Sequence, residues 1–422
     1  MAITGAIFAN TWWLWAPGLL FLIAFSLWMT YIQEWYRRVF IQWVIFEIRI
    51  PRELRKSPRA MEQVFMSVRG IRNTADDLKE KFWDGEVTMW FSFEVVSFGG
   101  ELHLYARVPK RHRNIITAAF YAQYPDIEVV EVEDYLTRLP PSVPELYQRG
   151  YRLFGNELVL AKDDAYPIRT YMDFEAPEEE QQLDPVAVLL ETIAKLQPQE
   201  TILVQIIVRP KGDEWKKKGD QLIEKMKEEV GRRELTTSLG EIVMVDRSPG
   251  EVEVMKAIER NIAKPAFDVV IRYLYIAPRE IFDEGFARRG VFSAFNQYAS
   301  ESLNRFVHNT KAWTRTIFVR WPFVLAKARR RAREVRIFHY YRTRKIYDEV
   351  PLARLFHMRF LNWGLGAQRM MVLNCEELAT IFHPPTNLVL TGPLIKRVEA
   401  RKVGPPAGLP IYGEDSEALP LK

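Results

Sequence analysis

The sequence predicts an α+β protein hung from a membrane: one N-terminal transmembrane helix, then two α+β sub-domains and a basic helical segment. Three observations lead there. No charged side chain occurs in the first 33 residues. Beyond them, β-branched and aromatic runs alternate with apolar residues at helical spacing. Positive charge, finally, is gathered in one window. The 422 residues are 48% hydrophobic and carry 59 Lys+Arg against 54 Asp+Glu, a formal +5. Such a composition builds real cores and excludes a mainly disordered chain. The single cysteine, Cys375, excludes an intramolecular disulfide framework and any Cys-rich metal site.

Residues 1–33 form the transmembrane unit. Trp12 to Ile32 is 21 residues, about 31 Å as a helix, against a hydrocarbon core of about 30 Å. Trp12, Trp13 and Trp15 crowd one end, and Trp28, Tyr31 and Trp35 the other. Indole and phenol rings favour the headgroup boundary, so two belts mark two interfaces. A cleaved signal peptide would begin basic and exit through small residues; here the start is uncharged and the exit bulky. Arg37 and Arg38 open a basic juxtamembrane segment, 34–56. By the positive-inside rule this flank is cytoplasmic and the N-terminus outside.

The first α+β sub-domain, with an acidic linker, is expected over 57–183. Ser57-Pro58 reads as a helix start, followed by Met61, Val64, Phe65, Val68 and Ile71 at helical spacing. Two β-rich runs around Gly99-Gly100 read as a hairpin, residues 113–125 as a helix and 126–134 as a strand. Residues 151–163 read as a second hairpin turning at Gly155-Asn156. The acidic stretch 173–184 reads as a solvated loop. The second sub-domain, 184–306, starts with a cap-plus-proline pair at Asp184-Pro185. It continues with a helix, the strand Thr201–Pro210, a highly charged helix over 213–231, a helix carrying Val252, Met255, Ile258 and Ile262, the strand 267–278, and a helical stretch to Phe306.

Residues 307–383 form the basic helical segment, and 384–422 a Pro/Gly-rich tail. Between Arg305 and Lys345 there are 13 Lys/Arg and one acid, Glu334. Lys327, Arg329, Arg330, Arg331, Arg333, Arg336, Arg342, Arg344 and Lys345 are therefore the candidate anion-binding residues. They could neutralise nucleic-acid phosphates, lie on anionic lipid, or dock an acidic protein surface. A solvated face is the plain alternative.

No enzyme motif emerges. GxxxxGK[ST], HExxH and GxSxG are absent, and Gly364-Leu365-Gly366 has Arg369 where a dinucleotide fingerprint needs glycine. The six histidines show no ligand spacing; His383 reads as a structural residue at a helix end and Cys375 as a small buried one. No catalytic residue, cofactor or metal is expected.

Three stretches, AYPIRTY (165–171), DPVAVLLETIAKLQPQETILVQIIVRP (184–210) and LNCEELATIFHPPT (373–386), with the closing RVEARKVGPPAGLP (397–410), carry a resemblance. They resemble a family of bacterial membrane-anchored proteins that look like the N-terminal, non-ATPase half of type IV secretion and conjugation ATPases. The resemblance implies a single-pass inner-membrane scaffold for a P-loop ATPase supplied in trans, since this sequence lacks a P-loop. Expected partners are the membrane, that ATPase, DNA or anionic lipid, and further copies of the chain. The alternative is a membrane-tethered nucleic-acid-binding protein using 305–345.

Overall fold

The computed structural model describes residues 11–51, 54, 56–73, 77–175, 183–231, 234–236, 242–244, 248–315, 325–346 and 370–386. Helix α1 (Trp12–Val39) outruns the expected span by two turns and passes within a few residues into strand β1 (Trp43–Arg49). Helix α2 (Arg59–Gly70) follows, its start aided by the Ser57 hydroxyl accepting from the Arg59 N–H. A π-helical turn, Glu80–Asp84, precedes the hairpin β2 (Phe91–Phe98) and β3 (Glu101–Pro109). That hairpin closes as the sequence predicts. Gly99 and Gly100 have φ of 59° and 91°, a left-handed pair only glycine adopts cheaply.

Next come α3 (Arg113–Gln123), β4 (Glu128–Val132), α4 (Val143–Gln148) and β5 (Tyr151–Leu160). Then α5 (Ala187–Ala194), β6 (Thr201–Pro210), α6 (Lys216–Gly231), the short pair β7 (Glu234–Thr236) and β8 (Ile242–Met244), α7 (Pro249–Ala263) and β9 (Ala266–Pro278). Helical turns over 286–298, β10 (Phe306–His308), the basic helix α8 (Ala326–Thr343), β11 (Met371–Asn374) and α9 (Cys375–Ile381) complete the described chain.

All strands but β7 and β8 form one nine-stranded sheet of antiparallel pairs, in the order β10-β5-β9-β6-β2-β3-β1-β4, with β11 also on β9. β9 is the hub. β6 runs along one flank, while β5 and β11 share the other, pairing with Ile271–Pro278 and Ala266–Val269. Central strands covered on both faces need apolar residues on both, which is why β6 and β9 read as nearly unbroken apolar runs.

One face of the sheet packs on α2, α3, α5 and α9 through Phe65, Phe120, Leu190 and Phe382, with Phe93 at its centre. The opposite face packs on α4 and α8 through Leu153, Leu203, Leu274, Ile337 and Phe338.

Three expectations are corrected. The residues 151–163 make no hairpin: β5 runs straight through Gly155-Asn156. A Cβ on Gly155 would lie 2.8 Å from Ile337 and Leu274, so glycine is there to let α8 approach. The division at 183/184 is no boundary in the sheet, because β2 pairs with β6 and β5 with β9, and one core underlies both stretches. The helical stretch before Phe306 ends at Tyr298, and Phe306 itself belongs to strand β10.

Candidate functional site: an apolar helix and a basic helix

Within α1, Ala16–Val39 is long and apolar enough to cross a membrane, with mean hydropathy 1.4. Leu20 and Phe21 are 66% and 68% exposed, as are Leu19, Leu22 and Leu27 in lesser or similar measure. Trp13, Trp28, Tyr31 and Trp35 are exposed too, while the side chains of Trp12 and Trp15 lie outside the described residues. The two arginines at the exit part ways. Arg38 faces out and holds Glu34 at 2.9 Å. Arg37 folds back, its guanidinium 5.8 Å from the Trp90 ring centroid.

The basic helix does not present its charges as the sequence suggested. Arg329, Arg333 and Arg344 are buried. Arg330 holds Glu334 at 2.9 Å and Glu284 at 3.3 Å. Arg331 lies 4.1 Å over the Tyr147 ring and within 4.0 Å of Glu334. Arg342 donates to the carbonyls of Leu136 and Pro140. Arg333 donates to the Trp313 carbonyl, and burial with the nearby Arg329 and Arg336 charges lowers its pKa to about 10. Lys327 is exposed, whereas Arg336 and Lys345 are half-buried. Residues 316–324, in the middle of the basic window, lie outside the described residues.

Arg344 is the centre of the arrangement. It caps α8 in the left-handed region, φ 48°, and its guanidinium enters the sheet. There it grips Glu94 with two hydrogen bonds, 2.7 and 3.0 Å, and Asp134 with two more, 2.6 and 3.0 Å. Tyr135 and Gln205 also donate to Glu94, at 2.6 and 3.0 Å. Burial opposes both charges, yet the facing Arg344 keeps the Glu94 carboxyl below its ordinary pKa. Glu94 and Asp134 in turn push Arg344 well above its own.

This grip belongs to a polar row crossing the sheet. Strand register aligns Glu47, Tyr105, Glu94, Gln205, Arg272 and Glu157 on β1, β3, β2, β6, β9 and β5. Arg272 donates to Glu157 at 2.8 Å and Gln205 donates to the Tyr341 carbonyl at 3.1 Å. Arg272 reaches the Tyr340 carbonyl at 3.3 Å. The Tyr340 and Tyr341 carbonyls near the end of α8, which also accept from the Lys345 and Arg344 N–H groups, thus find further cationic and amide donors in the sheet. At the row's far end His103 sits 2.8 Å from Glu47, and that contact, against burial, lowers the Glu47 pKa to about 2.

The three stretches that carry the family resemblance meet in space. Glu377 in α9 accepts from the Ile168 N–H at 2.9 Å, and Thr380 Oγ1 from the Tyr171 N–H at 2.9 Å. Asp184 lies 3.0 Å from His383 Nε2 and accepts from the Thr386 N–H at 2.8 Å. His383 is therefore a structural clamp and Cys375 a buried core residue, as expected. Beside them Lys264 bridges Glu62 and Glu376. Among the described residues no three His, Cys, Asp or Glu gather as a metal-holding group.

Sequence reading missed Glu94, Gln205 and Arg272. A signal was there: each stands among apolar neighbours inside a strand, FEVV, ILVQIIV and VVIRYLYI. Such a residue, buried on both sides, requires a partner.

Comparison with known proteins adds one match. The family model of a domain of unknown function, DUF8128, covers residues 33–391, from the last turns of α1 through the whole sheet. No curated protein matches the chain. With most of its length under that model, the chain belongs to the DUF8128 family.

Proposed function

We propose that the protein is a membrane-anchored, non-enzymatic scaffold that positions a cytoplasmic P-loop ATPase of a type IV secretion or conjugation-like translocation complex. The carrying observation is α1: its flanks are apolar and exposed over Ala16–Val39, and it joins β1 without a linker. A body attached so closely to a membrane helix is held at a fixed place on the cytoplasmic leaflet. In this reading α1 crosses the bacterial inner membrane once with its N-terminus outside, as the basic exit favours. The ATPase partner comes from the sequence resemblance, and several copies of the chain would present several docking sites to it.

The internal pairing of Arg344 and Arg330, and the burial of Arg329 and Arg333, weigh against the nucleic-acid alternative. Affinity capture of the tagged full-length chain from detergent-solubilised membranes, with and without nuclease, tests the proposal. A P-loop ATPase retained after nuclease is the expected result. DNA with no stable protein partner, or no partner at all, overturns the scaffold reading.

A further inference from the structure

We infer that the segment Asp77–Asp84 is a second membrane contact, a short element dipping into the cytoplasmic leaflet beside α1. The inference rests on the reading of α1 as a membrane span. Its basis is a difference of height. The π-helical turn Glu80–Asp84 does not pack at the charged end of α1 but well above it. The Phe82 ring lies 5.8 Å from Phe25, and the Trp83 ring 6.1 Å from Trp28. The Trp28 indole N–H donates to the Phe82 carbonyl at 3.0 Å. Trp28 is six residues before Glu34, the first charged residue of the chain, hence about 9 Å deeper along the helix axis, and Phe25 about 13 Å. A body segment held at that level lies inside the boundary that Glu34, Arg37 and Arg38 mark.

Its composition fits the place. Leu78 is 73% exposed and Trp83 70%, and the Phe82 ring is exposed as well. Those are large apolar groups that water would penalise and a headgroup–acyl boundary would accept. Asp77, Glu80 and Asp84 share the segment, and beside its apolar groups stand the exposed Lys79 and Lys81. Their stems can lie along apolar surface while the ammonium groups reach anionic headgroups. The contact to α1 is close: a Cβ on Gly85 would sit 2.7 Å from the Ile32 carbonyl carbon, and Gly85 has φ +69°. Ser26, Met29 and Ile32 form the buried stripe of α1 on this side, in contrast to its exposed flanks. An interfacial tryptophan normally offers its N–H to lipid. Here the Trp28 N–H is occupied by the Phe82 carbonyl, and Trp83 takes the outward position. The occupant is a lipid monolayer, continuous with the lipid around α1. Two attachment points fix the rotation of the body about the helix axis, which one helix alone leaves open.

The test uses the full chain in vesicles of phosphatidylcholine and phosphatidylglycerol, with an environment-sensitive fluorophore on one introduced cysteine at a time. Cys375 is buried and does not compete for label. Trp83→Cys and Leu78→Cys probe the segment, Leu22→Cys probes the span, and Lys217→Cys, exposed on α6, is the aqueous control. Blue-shifted emission at 83 and 78, with most of it lost to lipids carrying a shallow nitroxide, is expected. Label at 22 should respond best to a deep nitroxide and label at 217 to neither. If 83 and 78 behave as 217 does while 22 is quenched, the inference fails and the span stands. Blue-shifted emission at 83 that no lipid nitroxide quenches means protein covers the segment, a second copy for example, and also overturns it. If 22 is unquenched too, the membrane reading itself falls.

Discussion

The two faces of the sheet are closed by different physics. On one, Phe65, Phe93, Phe120 and Phe382 pack with Val204, Ile206 and Ile271, and the buried polar pairs, Asp184 with His383 and Lys264 with Glu62 and Glu376, join the covering segments to one another. On the other, the apolar groups divide into two clusters, around Leu203 and Leu274 and around Ile207 and Val270, with the polar row between them. Apolar packing is non-directional. Slipping β6 by two residues against β9 keeps every side chain on its own face and costs the first face only packing detail. The same slip parts Gln205 from Arg272 and leaves buried charges without partners. The apolar face supplies most of the stability; the polar row fixes register and ties in α8.

Deleting a charge from the row gives the largest expected effect. Arg344→Met strands Glu94 in the core and should cost about 3–5 kcal/mol in chemical unfolding of the full chain in micelles. Adding Glu94→Gln should restore a good part of that, and the double-mutant cycle measures the coupling. A cost that simply adds would show that the row contributes no pairing. On the apolar face, Phe93→Leu is equally buried and conserves most of the volume, so the expected loss is under about 1.5 kcal/mol by the same measurement.

The next effect is acid sensitivity. Burial alone would raise Asp184, but the facing His383 ring and the Thr386 and Val186 N–H groups hold it at about 2. As pH falls below the ordinary aspartate range, the unfolded chain gains a proton that folded Asp184 refuses until about pH 2. Stability present above about pH 4 is therefore lost on acidification, by about 2 kcal/mol in all. Asp184→Asn should flatten that limb of a pH–stability curve; an unchanged slope would assign it to other groups.

Smaller still is Asp134→Asn, because this carboxylate is partly exposed while Glu94 is fully enclosed. About 1 kcal/mol or less is expected from thermal unfolding. At the bottom, Lys327→Ala should stay within about 0.5 kcal/mol and leave the salt dependence of any DNA retention unchanged. A shallower salt slope would return α8 to the list of nucleic-acid surfaces.

Much of the fold was legible because its strands and helices are long and strongly patterned. The stripe of Met61, Val64, Phe65 and Val68, the Gly99-Gly100 hairpin, and strands β6 and β9 all lie where periodicity puts them. Gly155 misled because glycine marks both a turn and a close approach, and only the position of α8 decides between them. Arg344 was read as one of a surface run because its partner Glu94 is 250 residues upstream, a separation no local pattern reports. Strands β10 and β11 span three and four residues, too short to show a period. Their pairing is set by the strands already beside them.

The shared flank of β9 bears on how the chain is made. Its lower half is filled by β11, and the buried helix α9 completes the core immediately afterwards. Helix α1 leaves the ribosome ahead of all these strands, and β11 follows the end of β9 by about 90 residues. At ordinary rates of roughly 5–20 residues per second, the interval is on the order of five to twenty seconds. During that time β9 keeps part of an edge open, the kind of edge that pairs with a neighbouring chain. With α1 inserted as proposed, nascent copies are spread over a surface while that edge waits for its last strand.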